Sequence, residues 1–155
     1  MSAVQVRAVT SADRTVWNEL YRGYRDFYEK PHDPAVFETV WAWLTDPAHG
    51  SRGFVAELDG SVVGLAHFRT FARPIDAAQG IYLDDLFTAP SARGSGVAGA
   101  LLTALAELAR DEGASMVRWI TAESNAPARR LYDRVAKHTP WVTYDLSPAE
   151  PAERR

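Results

Sequence analysis

The sequence predicts an α/β fold, a central mixed sheet with helices on both faces. Three features carry that expectation. Three apolar strand segments follow one another between residues 54 and 88, which implies an antiparallel meander. A strand–helix–strand run over residues 81–121 then implies a parallel crossover. Amphipathic helices stand before and after the meander, so both faces of the sheet are covered.

Each element has its own warrant. Residues 4–9 alternate weakly and read as a first strand. From Ser11 onward Val16, Trp17, Leu20, Tyr21, Tyr24, Phe27 and Tyr28 recur at helical spacing, with Ser11 or Asp13 as N-cap, and Pro31 and Pro34 break that helix. A second short helix places Phe37, Val40, Trp41 and Leu44 on one face and leaves Trp43 off it. Residues 54–58 and 62–71 read as strands joined by Asp59-Gly60, a tight-turn signal. A long connection over residues 72–80 leads to a strand over 81–88. Residues 97–110 form a helix with Leu101, Leu102, Leu105, Leu108 and Ala109 buried, and Gly113 is placed to end it. Residues 115–121 read as a strand. Residues 127–137 read as a helix with Ala128, Leu131, Tyr132 and Val135 inward and Pro127 in its first turn. Residues 141–146 close the chain as a strand. The order is β-α-α-β-β-β-α-β-α-β.

The 155 residues are 46% hydrophobic and 24% charged, a globular composition of one-domain length. Residues 1–146 are read as a single domain and residues 147–155 as a frayed tail. Cysteine is absent, which removes disulfides, thiolate metal sites and a cysteine nucleophile and suits a reducing cytoplasm. The start of the chain shows no export signal. The longest apolar stretch, residues 97–109, is interrupted by Thr103 and Glu107 and is too short to cross a bilayer. A net charge of −3 argues against nucleic acid as the main partner. His32, His49, His67 and His138 show no ligand spacing, so no metal is expected.

The chemistry concentrates in the turn Arg93-Gly94-Ser95-Gly96-Val97-Ala98-Gly99. A glycine-rich turn opening a helix is an anion site because the first helical N–H groups have no internal partner and the peptide dipoles favour negative charge there. Arg93 adds a positive charge. The same residues satisfy Gly-x-Gly-x-x-Gly, the dinucleotide fingerprint, with Glu123 as the acid that would follow. Three strands precede the turn and too few residues follow it for further βαβ units, which argues against the dinucleotide reading. A purely structural glycine turn is the other alternative.

The run Asp85-Leu86-Phe87-Thr88-Ala89-Pro90, continued by Arg93-Gly94-Ser95-Gly96-Val97-Ala98, resembles the acetyl-CoA-binding motif of the GNAT N-acetyltransferases, Arg/Gln-x-x-Gly-x-Gly/Ala. Trp119-Ile120-Thr121-Ala122-Glu123-Ser124-Asn125 with Ala128, Leu131, Tyr132 and Asp133 is similar to the family's second motif. With Tyr82-Leu83-Asp84-Asp85-Leu86 it resembles the branch of diamine acetyltransferases and fungal histone-and-polyamine acetyltransferases. The chain departs from the family at Val135-Ala136-Lys137-His138-Thr139-Pro140, where Tyr-x-x-x-Gly-Phe is common. It departs again at Leu83-Asp84-Asp85, where diamine acetyltransferases show Leu-Glu-Asp.

The resemblance implies an acetyl-CoA-dependent transfer to a primary amine, on a small molecule or a protein lysine. The backbone of Leu86, Phe87 and Thr88 would pair with the pantetheine arm, and the turn from Arg93 to Gly99 would hold the pyrophosphate. Asn125 and Ala128 would add cofactor contacts, and Tyr132 would meet the departing thiolate. Tyr132 and the side chains of Leu86 and Phe87 also read as ordinary core, and Asn125 as a helix start. Asp84 is the candidate base or cation-binding group, since an ammonium must lose a proton before it attacks; the other reading is a structural acid. Neighbouring strand residues point to opposite faces, so only one of Asp84 and Asp85 is expected to face the cleft. Tyr24, Phe27, Tyr28, Tyr82 and Trp119, with Trp43, are candidates for an acceptor pocket or for core. Without cysteine, direct attack in a ternary complex is the economical route. A silent acyl-CoA-binding domain and a small dinucleotide oxidoreductase stay open beside it. The branch also implies a homodimer through the C-terminal region, where Trp141 and Tyr144 mark a strand near a sheet edge; the other reading packs Trp43 and Trp141 under the connection over residues 72–80.

Overall fold

A computed structural model describes residues 3–152, so the first two residues and the last three of the expected tail lie outside the described residues. The chain falls into two compact units, one ending at Ile120 and the other beginning at Thr121. The first unit holds a five-stranded sheet in the order β1-β2-β3-β4-β5. Its strands are β1 (Gln5–Ala8), β2 (Ser51–Leu58), β3 (Ser61–Arg73), β4 (Ala78–Thr88) and β5 (Val117–Arg118). The first four are antiparallel neighbours, and β5 joins β4 in parallel. The Asp59-Gly60 turn has positive φ at both positions, 53° and 80°, the backbone that a two-residue hairpin demands.

Helices α1 (Arg14–Phe27) and α2 (Pro34–Thr45) cover one face, where Trp17, Leu20, Tyr21, Phe37 and Trp41 pack with Leu65 and Phe87. Asp33 caps α2 by accepting from the Ala35 N–H at 3.0 Å. Helix α3 (Val97–Glu112) covers the other face: beside Leu65, Gly64 leaves room for Val97 and Leu101. Gly113, at φ 71°, ends α3 as its spacing predicts.

Three expectations about strands change. The connection over residues 72–80 is a tight turn, because β3 runs to Arg73 and β4 resumes at Ala78 around Pro74. The strand expected over 115–121 contracts to two residues, which pair Ile81 with Val117 and Tyr82 with Arg118. Just beyond that pairing β4 carries a bulge. Phe68 faces Leu83 and His67 faces Asp85, which leaves Asp84 as the extra residue. A bulge bends its strand and raises the local twist, and β4 parts from β5 at this point. Among the described residues, residues 83–88 of β4 have no strand partner on the β5 side.

The second unit contains α4 (Ala126–Val135), with Pro127 in its first turn. Val135 is exposed where an inward side chain was expected. The strand expected over residues 141–146 is absent: the segment has no ladder partner, and Trp141, Val142, Tyr144 and Leu146 are all exposed. A strand needs a neighbour to satisfy its backbone, and a favourable pattern does not supply one.

An ion cluster around the buried Asp13 ties β1 to β2 and to the turn entering α1. Arg7 donates to both Asp13 oxygens at 2.7 and 2.8 Å and to Glu57 at 2.9 Å, and the Thr10 N–H adds a bond to Asp13. Arg7 outweighs the opposing effect of burial and lowers the Asp13 carboxyl from the ordinary 3.8 to about 2. Because that pKa is depressed on folding, the stabilisation is present above pH 4 and is lost as pH falls through about 2. Asp13→Asn is expected to cost about 1–2 kcal/mol at pH 7, a value held down by solvent around the half-exposed Arg7. Urea unfolding should show the gap between variant and parent closing at the acid end.

Candidate functional site

The glycine turn precedes α3 and follows a short turn at Pro90–Ala92. Gly94 and Gly96 have φ of 81° and 82°, a region that L side chains rarely adopt. A Cβ added at Gly94, Gly96 or Gly99 meets no heavy atom within 4 Å, so the turn opens onto free space. The first helical bond runs from Ala100 N to Gly96 O at 3.0 Å, and no side chain caps the helix. The N–H groups of Val97, Ala98 and Gly99 therefore end the helix as open donors. Val97 is buried, so it offers this turn only its backbone. Ser95 is exposed, and its N–H is engaged by Ala92 O. The exposed Arg93 guanidinium stands over the Phe87 ring at 5.8 Å. Open donors, a cation and an uncrowded approach make a cradle for a phosphate group.

On β4, Leu86, Phe87 and Thr88 pair with Ala66, Leu65 and Gly64 of β3 and keep their other edge open. The Phe87 side chain belongs to the core, so this residue too can serve a ligand only through its backbone. An open strand edge leading into an anion cradle fits an extended arm that ends in a pyrophosphate, as coenzyme A does.

The bulge overturns the expected opposition of the two aspartates. Arg69 and His67, two apart on β3, share a face; Asp84 pairs with Arg69 at 3.1 Å and Asp85 with His67 at 2.8 Å. Both carboxylates thus lie on the α1 side, because the extra residue breaks the alternation. Burial raises the pKa of Asp84 despite Arg69. Burial also opposes ionisation of Asp85, but His67, by its hydrogen bond and electrostatically, and then hydrogen bonds from Tyr24 and Tyr21 outweigh it and hold that carboxyl below its usual range. Tyr21 donates to Asp85 at 3.3 Å. Burial first, then the Asp85 charge, pushes the Tyr21 and Tyr24 phenols upward, so both remain proton donors.

The candidate pocket residues divide. Tyr24 stacks on Tyr21 with centroids 5.7 Å apart and meets Tyr28 at 5.0 Å; Phe27 follows at 5.1 Å. This aromatic run leads from half-buried Asp85 to the exposed rings of Phe27 and Tyr28. Tyr82 joins the same region through Arg69, whose guanidinium lies 4.7 Å from its ring. Trp43 does not join it, since it stacks on His49 in the loop before β2. Trp119 is half-buried directly after β5. In the second unit, Asn125 precedes α4 and donates to Thr121 at 3.4 Å, while Ala128 and Tyr132 are half-buried on the helix. Three residues of the cluster were not read as site residues from the sequence: Tyr21, His67 and Asp85. Tyr21 sat on a core stripe, His67 had no partner in spacing, and Asp85 was set aside by strand alternation.

The model of the acetyltransferase (GNAT) family matches residues 17–136. The D-amino-acid N-acetyltransferase HPA3 of Saccharomyces cerevisiae is 30% identical over 144 residues, covering 91% of this chain and 89% of that protein. The thialysine N-epsilon-acetyltransferase of Caenorhabditis elegans is 30% identical over 132 residues, covering 76% and 82%. Among solved structures, an aminoglycoside N-acetyltransferase in complex with CoA shares the fold with a TM-score of 0.78 at 19% identity, covering 96% of this chain and 97% of that one.

Proposed function

The chain belongs to the acetyltransferase (GNAT) family, and from that premise we propose that it acetylates a small-molecule primary amine whose ammonium is drawn to the Asp84–Asp85 bulge. It is an acetyl-CoA-dependent N-acetyltransferase. The observation that carries the acceptor reading is the bulge, which sets two carboxylates on one face beside an open strand edge. The relatives named for D-amino acids and thialysine support a small amine. The family match spans both compact units, which supports treating them as one catalytic domain.

Bound acetyl-CoA supplies the thioester from which the acetyl group leaves. The open edge of residues 83–88 orients the arm and the Gly94–Gly96 turn holds its phosphates. Asp85, held ionised beside His67, Tyr24 and Tyr21, attracts the ammonium. A primary ammonium titrates near 10.4, so at neutral pH it must shed a proton, and Asp84 with its raised pKa receives it directly or through water. With the cofactor bound, the neutral amine would attack the thioester carbon directly, forming the C–N bond as the C–S bond breaks. Tyr132 would give its proton to the released thiolate and recover one from the acetylated nitrogen, a reading supported by its spacing from Asn125. Tyr132→Phe is expected to lower kcat about 10-fold or more with little change in melting temperature; an unchanged kcat assigns the residue to packing alone.

The test of the whole reading is an acceptor screen with acetyl-CoA that follows free thiol over amino acids, diamines, aminoglycosides and lysine peptides. Turnover on a small amine supports it. Binding of CoA without turnover on any amine would point instead to a silent acyl-CoA-binding domain.

The same premise extends to assembly and location. The C-terminal segment alternates like a strand yet exposes Trp141 and Tyr144 at 79% and 90%, which supports a second copy as its cover in a homodimer. Light scattering should give twice the 17.1 kDa chain mass, and a monomer mass refutes the dimer. Among the described residues no helix is long and apolar enough to cross a membrane. A cysteine-free composition supports a reducing compartment, the cytoplasm.

A further inference from the structure

Two carboxylates in this molecule, the buried Asp13 and the half-buried Asp85, are satisfied in opposite ways. Asp13 meets a guanidinium, and its charge is cancelled within the chain. Among the described residues Asp85 meets Tyr21, Tyr24 and His67. The state of His67 follows from its other neighbour: the Trp17 indole donates to His67 Nε2 at 2.9 Å, and an indole N–H can only donate. Nε2 must therefore present its lone pair. The single ring proton then sits on Nδ1 and is donated to Asp85 Oδ2 at 2.8 Å. His67 is neutral in this arrangement, and the contact is a hydrogen bond between an imidazole and a carboxylate. Among the described residues no lysine or arginine forms an ion pair with Asp85. One negative charge is left over beneath the bulge.

We propose that Trp17 and His67 are positioning residues which, by fixing the Nδ1–H tautomer, keep the Asp85 charge uncancelled and aimed at the cationic end of the acceptor. This rests on the amine acetyltransferase reading above. A histidine free to take a second proton would neutralise Asp85 from inside and compete with the incoming ammonium. The indole prevents that by occupying the only site where the proton could go. Trp17 is 0% exposed and ringed by Tyr21, Phe37 and Trp41, so the donor cannot swing away. The clamp therefore sets specificity: a cationic acceptor completes the ion pair, whereas an uncharged one leaves a buried charge unpaired. The charged and titratable groups around the pair are Tyr21, Tyr24 and Arg25 from α1, Arg69 from β3 and Asp84 from β4. On its contacting face α2 contributes Phe37 and Trp41.

The test uses the full chain and two readouts. Nitrogen chemical shifts of the His67 ring should show the neutral Nδ1–H tautomer, unchanged from pH 6 to 9, in the unliganded parent. Trp17→Phe keeps an aromatic ring and removes the N–H, so His67 should then take up a proton as pH falls. With the amine found by the acceptor screen, its KM in Trp17→Phe should rise about 10-fold or more at pH 6 and approach the parent value by pH 8.5, while kcat stays within about threefold. His67→Phe should raise KM at every pH, and His67→Asn, which restores a donor toward Asp85, should recover part of it. A purely structural role would lower the melting temperature and leave the pH dependence of KM unchanged. Titration of His67 in the parent, or a pH-independent KM change in Trp17→Phe, overturns the clamp. If Trp17→Phe does not fold, the parent's ring shifts and the two His67 variants still decide it. Absence of parent turnover on every amine counts against the acetyltransferase reading alone, because the ring shifts are measured without any acceptor.

Discussion

Gly96→Val is expected to weaken acetyl-CoA binding by about 100-fold or more, the loss of two charge-assisted hydrogen bonds between the turn and the phosphates. Gly96 has φ of 82° and no heavy atom within 4 Å of where a Cβ would stand. The new side chain therefore enters the space in front of the open N–H groups of α3 without displacing the protein's own atoms. A β-branched residue at this φ also carries backbone strain of about 1–3 kcal/mol, which lowers the melting temperature by roughly 2–12 °C. Gly96→Ala suffers similar strain with far less bulk, so the ratio of the two dissociation constants isolates the steric block. Calorimetric titration with CoA measures both. Equal affinities for the two variants, with Gly96→Val folded, would remove the phosphates from this turn.

Asp85→Asn is expected to reduce kcat/KM for the amine by about 100-fold or more, chiefly through KM. The amide keeps the size of the side chain and an acceptor for Tyr21 and Tyr24, but it removes the charge that draws the ammonium. The Asp85 carboxyl is held below its usual range, so the parent is fully ionised at every pH where the enzyme is assayed and the deficit should be nearly flat from pH 6 to 9. Asp84 behaves differently, since burial raises its pKa and its proposed task is to take a proton. Asp84→Asn should act on kcat and hurt most at low pH, where free amine is scarce. Steady-state profiles of both variants separate anchor from base, and a loss confined to kcat in Asp85→Asn would exchange the two roles.

Much of this molecule was legible residue by residue. The proline breaks before α2, the Asp59-Gly60 hairpin, the stripe of α3 and its end at Gly113 are local events, governed by φ preferences and by apolar spacing within a few residues. The glycine turn was legible for the same reason, because open N–H groups and a positive φ belong to the turn itself. The segment over residues 141–146 shows the limit of such reasoning: its pattern suits a strand, but a strand exists only against a neighbour, and among the described residues none pairs with it.

The sequence by itself determined the fold class, the open glycine turn before α3 and the presence of two adjacent aspartates on one strand. Only the tertiary structure decided how those aspartates are used. Whether β4 alternates or bulges depends on its register with β3, a pairing of residues as far apart in sequence as His67 and Asp85. That one-residue slip turned both carboxylates to the same face. The choice of partner was equally non-local: Arg69 took Asp84, while His67 met Asp85 through one ring nitrogen and, through the other, Trp17, fifty positions earlier in the chain. Spacing along a chain records which face a residue prefers, but charge balance in a buried site depends on which side chains the fold brings within hydrogen-bonding reach.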